Sequence, residues 1–155
     1  MTGGLRIRPA RAEDLPALAM LYRHLNPADA PAPAEAGVAS LARLENLSGS
    51  AVLLGEAGGR LVASCMLVVI PNLTRGGQPF ALIENVVTHA EARQRGHGRA
   101  LLDAACERAW AAGCYKVMLM TGTTRPETLR FYRGAGFDAT KTGFQKRRIP
   151  ARGDA

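Results

Sequence analysis

Three groups of residues in this chain have the types and spacing for chemistry. The first is Glu84, inside the apolar run Leu82-Ile83-Glu84-Asn85-Val86-Val87-Thr88. A carboxylate among such neighbours is costly unless it is paired, hydrated or used to take a proton. Strand alternation predicts Leu82, Glu84, Val86 and Thr88 on one face, with Ile83, Asn85 and Val87 on the other. The second group follows at once, in Arg93-Gln94-Arg95-Gly96-His97-Gly98-Arg99-Ala100. Glycines there let a ligand approach the backbone closely, and the arginines add positive charge, which is the chemistry of holding a phosphate. The third is Tyr132, beside Phe131 on a short helix. Adjacent helical positions point about 100° apart, so Phe131 can pack while Tyr132 faces a ligand, or Tyr132 can itself be core.

The elements around the basic loop give it meaning. The apolar run before it reads as a strand, and Leu101, Leu102, Ala105, Cys106 and Ala109 after it form a helical stripe. The first turn of a helix carries unpaired N–H groups and the positive end of the macrodipole. Strand, glycine loop and helix in that order argue for more than a solvated basic turn. A Walker A loop is excluded because Gly98 is followed by Arg99-Ala100, and a Rossmann fingerprint because Leu101 stands where its third glycine would be.

Along the chain, Leu5-Arg6-Ile7-Arg8 alternates as a first strand. Asp14 is placed to cap a helix carrying Leu15, Leu18, Tyr22 and Leu25, which Asn26-Pro27 stops. An Ala/Pro connector from Ala28 to Ala36 precedes a second helix with the stripe Val38, Leu41, Leu44 and Leu47. The strands Ala51 to Glu56 and Leu61 to Ile70 flank a Gly58-Gly59 hairpin turn. A strand from Phe80 to Thr88, a helix from Gly98 to Ala112 and a strand from Tyr115 to Thr121 follow. Thr124 and Glu127 read as a capping box opening a helix through Tyr132, and Phe137 to Ile149 reads as a last strand or hairpin. The expectation is a single domain over residues 1–155: an α/β (α+β) chain with one mixed, mostly antiparallel twisted sheet and helices on both faces.

The apolar fraction of 47% with 21% charged residues is that of a globular protein. No run could span a bilayer and the N-terminus shows no signal peptide, so a cytoplasmic location and no membrane partner are expected. Cys65, Cys106 and Cys114 lack metal-ligand spacing, so reduced thiols and no metal are expected. The net charge of +7 would suit a polyanion. Lys141, Lys146, Arg147, Arg148 and Arg152 near the C-terminus read as a solvated tail, without the interleaved aromatics that stack bases.

The pattern Arg93-x-x-Gly96-x-Gly98 resembles the coenzyme A pyrophosphate loop of the GNAT family of N-acetyltransferases. Ile83-Glu84-Asn85-Val86-Val87 before it and Phe131-Tyr132-x-x-x-Gly136-Phe137 after it match that family's order and approximate spacing. The resemblance implies acetyl-coenzyme A as co-substrate, lying in a V between two splayed central strands, Phe80–Thr88 and Tyr115–Thr121. Backbone groups of Val86, Val87 and Thr88 would pair with the pantetheine amides like an added strand. Arg93 belongs to the loop motif, and the amides of Arg95, Gly96, His97, Gly98, Arg99 and Ala100 would cradle the pyrophosphate. Arg125 and Thr128 stand where the family often has Asn and Ala; Arg125 could reach a phosphate or an acidic acceptor, or be a solvated helix start.

Direct transfer from thioester to amine needs no protein nucleophile, and the sequence shows no triad. It does need a proton acceptor for the amine and a donor for the departing thiolate. Glu84 is the candidate base, with a structural ion pair as its alternative, and Tyr132 the candidate acid. An N-acetyltransferase acting on a small-molecule amine, or on a protein amine, is the first reading, with a homodimer compatible. A catalytically silent acetyl-coenzyme A sensor is the second, and a nucleic-acid-binding module the third.

Overall fold

The computed structural model describes residues 4–151. The chain divides into two compact units between Thr121 and Gly122. The first holds a five-stranded sheet in the order β1-β2-β3-β4-β5, from β1 (Arg6–Pro9), β2 (Ala51–Ala57), β3 (Arg60–Ile70), β4 (Phe80–Thr88) and β5 (Val117–Leu119). The first four strands pair antiparallel, and β5 joins β4 in parallel. The sheet is therefore mixed and mostly antiparallel, as expected. Gly58 (φ 57°) and Gly59 (φ 73°) supply the two left-handed residues that a tight hairpin between β2 and β3 requires.

Helices α1 (Leu15–Tyr22) and α2 (Ala34–Glu45) cover one face of the sheet. Leu18 and Leu21 of α1 and Leu41 of α2 meet Val52, Leu54 and Val87 there. Helix α3 (His97–Ala111) covers the other face through buried Leu101, Leu102, Ala105 and Ala109. Strand alternation turns Cys65, Leu67 and Ile83, all buried, to that side.

Two caps differ from expectation. Asp14 precedes α1, but its carboxylate caps no amide of that helix. It instead accepts from the Arg11 N–H at 2.7 Å and takes both Arg8 guanidinium nitrogens at 2.7 Å, because a 3-10 turn, Ala12–Asp14, comes first. Arg8 also binds Glu56 at 2.7 Å, so one guanidinium ties β1, β2 and the entrance to α1.

The second unit carries α4 (Pro126–Gly134). Its cap is Arg125 rather than Thr124, since Pro126 fits the first helical position with no N–H to satisfy. The expected strand or hairpin from Phe137 to Ile149 does not form: no residue of that run is in a strand, and Phe144 and Ile149 are exposed. The run lacks a sustained apolar alternation, and its clustered Lys and Arg repel. β5 is likewise shorter than the expected Tyr115–Thr121.

Candidate functional site

The site is organised by how β4 loses its neighbour. β5 pairs with β4 only at Ala81, Leu82 and Ile83. From Glu84 onward β4 has no strand partner on that side among the described residues, while its other edge stays paired to β3 as far as Thr88. The expected opening between the two strands is thus present as a parallel pairing that stops. Thr88 is the partial exception, because its carbonyl accepts from Arg93 Nε at 3.3 Å.

A bulge sits at the opening. Asn85 has φ 52°, and Asn85 and Val86 together oppose the single residue Cys65. The extra residue resets the alternation, so Val87 shares a face with Glu84 instead of opposing it as the unbroken pattern predicts. Val87 packs with Leu18 and Leu21 under α1, and Glu84 faces the same way beside its cross-strand neighbour Met66.

The basic loop ends at Gly96, whose φ of 79° lets the chain turn into α3 and makes it the N-cap. The amides of Arg95, Gly96, His97, Gly98 and Arg99 have no backbone partner among the described residues. The sixth expected amide does not join them, because Ala100 N–H donates to the Gly96 carbonyl at 3.0 Å and closes the first helical turn. Arg95 and Arg99 are exposed, the latter 3.8 Å from Asp103. Arg93 is exposed and braces the loop from outside: besides Thr88, it donates to the His24 carbonyl at 3.4 Å. The rings of His24 and His89 lie 4.1 Å apart beside it, a pair that the sequence did not single out.

Glu84 is half-buried, and no ion pair or side-chain hydrogen bond among the described residues involves it. The structural ion pair considered as its alternative therefore has no partner there. Tyr22, read from sequence only as a helix-stripe residue, lies on the same sheet face. Burial pushes its phenol above the ordinary range, and the neighbouring Ser64 hydroxyl opposes that shift. Ser64 is fully buried, and its hydroxyl has no partner of hydrogen-bond geometry, so the two oxygens approach without a formed bond. Only the pairing register, Ser64 opposite Val87 across the bulge, reveals these polar atoms; no sequence spacing does.

In the second unit, Tyr132 on α4 is half-buried with its ring 5.1 Å from that of Phe131. Phe131, expected to pack, is the more exposed of the two. Arg125 is exposed at the start of α4. The cysteines are free thiols, and burial pushes Cys65 up to about 12 and raises Cys106 and Cys114, which disfavours the thiolate. Among the described residues no cluster of three or more His, Cys, Asp or Glu side chains could hold a metal ion. Among the described residues no helix is long and apolar enough to cross a membrane.

With this geometry the comparisons agree. A family model described as the acetyltransferase (GNAT) family matches residues 18–137. A glucosamine 6-phosphate N-acetyltransferase of Trypanosoma brucei brucei is 34% identical over 137 residues, covering 87% of this chain and 90% of its own. The solved structure of a putative acetyltransferase from Agrobacterium tumefaciens superposes with a TM-score of 0.85 at 42% identity, covering 92% of this chain and 99% of its own. A glucosamine-6-phosphate N-acetyltransferase from Arabidopsis thaliana shares the fold, with a TM-score of 0.83 at 18% identity and coverage of 95% and 100%.

Proposed function

The chain belongs to the GNAT family of acetyltransferases, and we propose that it moves acetyl from acetyl-coenzyme A directly to a small-molecule primary amine. One observation carries the reading: among the described residues the β4 edge has no strand partner beyond Ile83, and it leads through a short 3-10 turn (Ala90–Ala92) to a loop where five amides at a helix N-terminus have no backbone partner. An edge offers amides and carbonyls to an extended amide-bearing chain, and orphan N–H groups at the positive end of a helix suit a pyrophosphate. Pantetheine joined to a pyrophosphate has both parts in that order. Val86, Val87 and Thr88 would hold the first, and Arg95 to Arg99 the second.

In this reading Glu84 takes the ammonium proton, through a water, at the point where the strands part. Tyr132 protonates the leaving thiolate, a role resting on its place in the Phe131-Tyr132-x-x-x-Gly136-Phe137 motif. Alignment of two bound substrates supplies much of the remaining acceleration, on the order of 7–11 kcal/mol. The reducing cytoplasm is the compartment that suits three free thiols. Glucosamine 6-phosphate, named in the curated relatives, is the first acceptor to assay.

Calorimetric titration of Gly98→Trp with acetyl-coenzyme A tests the cradle. A bulky side chain in the first turn of α3 should weaken binding by roughly tenfold or more, about 1.4 kcal/mol, while the fold survives. Unchanged affinity in a folded variant would remove the cradle from this site. Thiol release with a panel of amines separates an enzyme from a silent binder of the same cofactor.

A further inference from the structure

On the sheet face that carries Glu84 lies an open cavity of about 820 Å³, bordered by α1, the Ala/Pro connector and α2. Its lining is mainly hydrocarbon, with Leu15, Ala19, Val38 and Leu47 on the helical side and Met66 and Val68 from β3. Two residues of the stripe that sequence periodicity assigns to the core, Val38 and Leu47, are 47% and 39% exposed and line this space. Apolar surface left open in a concave site is surface that a ligand can cover.

The cavity reaches the strand neighbour of the proposed base. Met66 in its wall is the cross-strand neighbour of Glu84, and Tyr22 lines it as well. Its charge is informative: Arg43 is the one charged residue among those lining it, and that side chain is exposed on α2. A sugar phosphate brings a dianion and several hydroxyls, each needing a partner when water is stripped away. Against that demand this wall offers only the side chains of Tyr22, Ser40 and the exposed Arg43.

We propose that the cavity is the acceptor subsite and that the acceptor is a primary amine with a hydrocarbon body, aliphatic or aromatic, rather than an amino-sugar phosphate. The inference rests on the acetyltransferase reading above and narrows its substrate class. The amine end would meet Glu84 and the body would lie against Met66, Val68 and α2. The C–N bond forms as the C–S bond breaks. Of the two protons the ammonium group loses, one ends on the coenzyme A thiol and the other passes through Glu84 to solvent.

The test is thiol release from acetyl-coenzyme A with hexylamine, phenethylamine, ethanolamine, glucosamine and glucosamine 6-phosphate. The expected kcat/KM for hexylamine or phenethylamine exceeds that for glucosamine 6-phosphate by roughly tenfold or more, as a hydrocarbon-lined pocket discriminates. Ala19→Trp, which fills the cavity, should erase that preference through KM while acetyl-coenzyme A affinity stays unchanged. Val38→Glu, at an exposed rim position, provides the same readout if the tryptophan variant does not fold. A kcat/KM for glucosamine 6-phosphate equal to or above that of both apolar amines overturns the proposal. Fluorescence of bound 1-anilinonaphthalene-8-sulfonate decides the matter without turnover. Displacement by phenethylamine in the wild type but not in either variant supports the subsite even if no amine is acetylated, and that pattern would place the failure with the catalytic reading. No displacement in the wild type overturns it.

Discussion

Glu84 combines partial burial, a place at the parting of two strands and no ion partner among the described residues. A carboxylate kept there without a counter-charge is better explained by use than by stability. Glu84→Gln keeps the shape and removes the base, so turnover should fall roughly 100- to 10,000-fold. The acidic limb of the pH–rate profile should flatten with it. Wild-type rate with the same acidic limb would leave Glu84 without a chemical role. Tyr132→Phe is the complementary probe, since the ring and its contact with Phe131 remain and only the hydroxyl goes. Turnover should drop by roughly 100-fold while acetyl-coenzyme A affinity holds; a fall in affinity instead would make the phenol a binding group.

At the scale of elements, the start of α1 depends on a compact ion cluster. Hydrogen bonds from the Arg8 guanidinium hold the Asp14 carboxyl down to about 2 against an ordinary 3.8, and the same carboxylate holds the Arg11 amide. Because the folded value is depressed, this stabilisation is complete above the ordinary value and disappears as pH falls from about 4 toward 2. The cluster is partly wetted, so its worth is roughly 1–2 kcal/mol, somewhat less than the full shift implies. Asp14→Asn should therefore lower Tm by a few degrees at pH 7, and the deficit should vanish near pH 2. A difference between the two proteins that is the same at both pH values would show that the carboxylate charge is not what matters. The element also carries function, since α1 presents Tyr22 and one wall of the apolar cavity.

For the molecule as a whole, the surplus of seven positive charges makes a long-range field that favours anions. Arg95 and Arg99 are exposed at the cofactor loop, so part of that field is concentrated where the pyrophosphate would arrive. Salt screens charges beyond about 10 Å at 0.1 M and beyond about 3 Å at 1 M. The KM for acetyl-coenzyme A should accordingly rise several-fold between those ionic strengths while kcat changes little. A salt-independent KM would mean that the amides alone govern cofactor capture. Retention on nucleic acid that survives physiological salt would instead favour the polyanion-binding reading of the same charge.

The sequence by itself determined the strand–loop–helix order around Gly96 and Gly98, the Gly58-Gly59 hairpin and the helical stripe of α3. Each of these is a local matter: residue type dictates which backbone torsions are allowed, and periodicity dictates which face is buried. The family resemblance rested on the same local motifs. Only the tertiary structure decided where β5 stops, that Asn85 bulges and carries Val87 to the face of Glu84, and that Tyr22 and Ser64 stand there too. It also decided that the residues from Phe137 to Ile149 do not form a strand, and that Val38 and Leu47 line a cavity instead of closing a core. Such features depend on which strand lies beside which, and in what register. Pairing partners distant along the chain leave no periodic trace in either partner's own sequence.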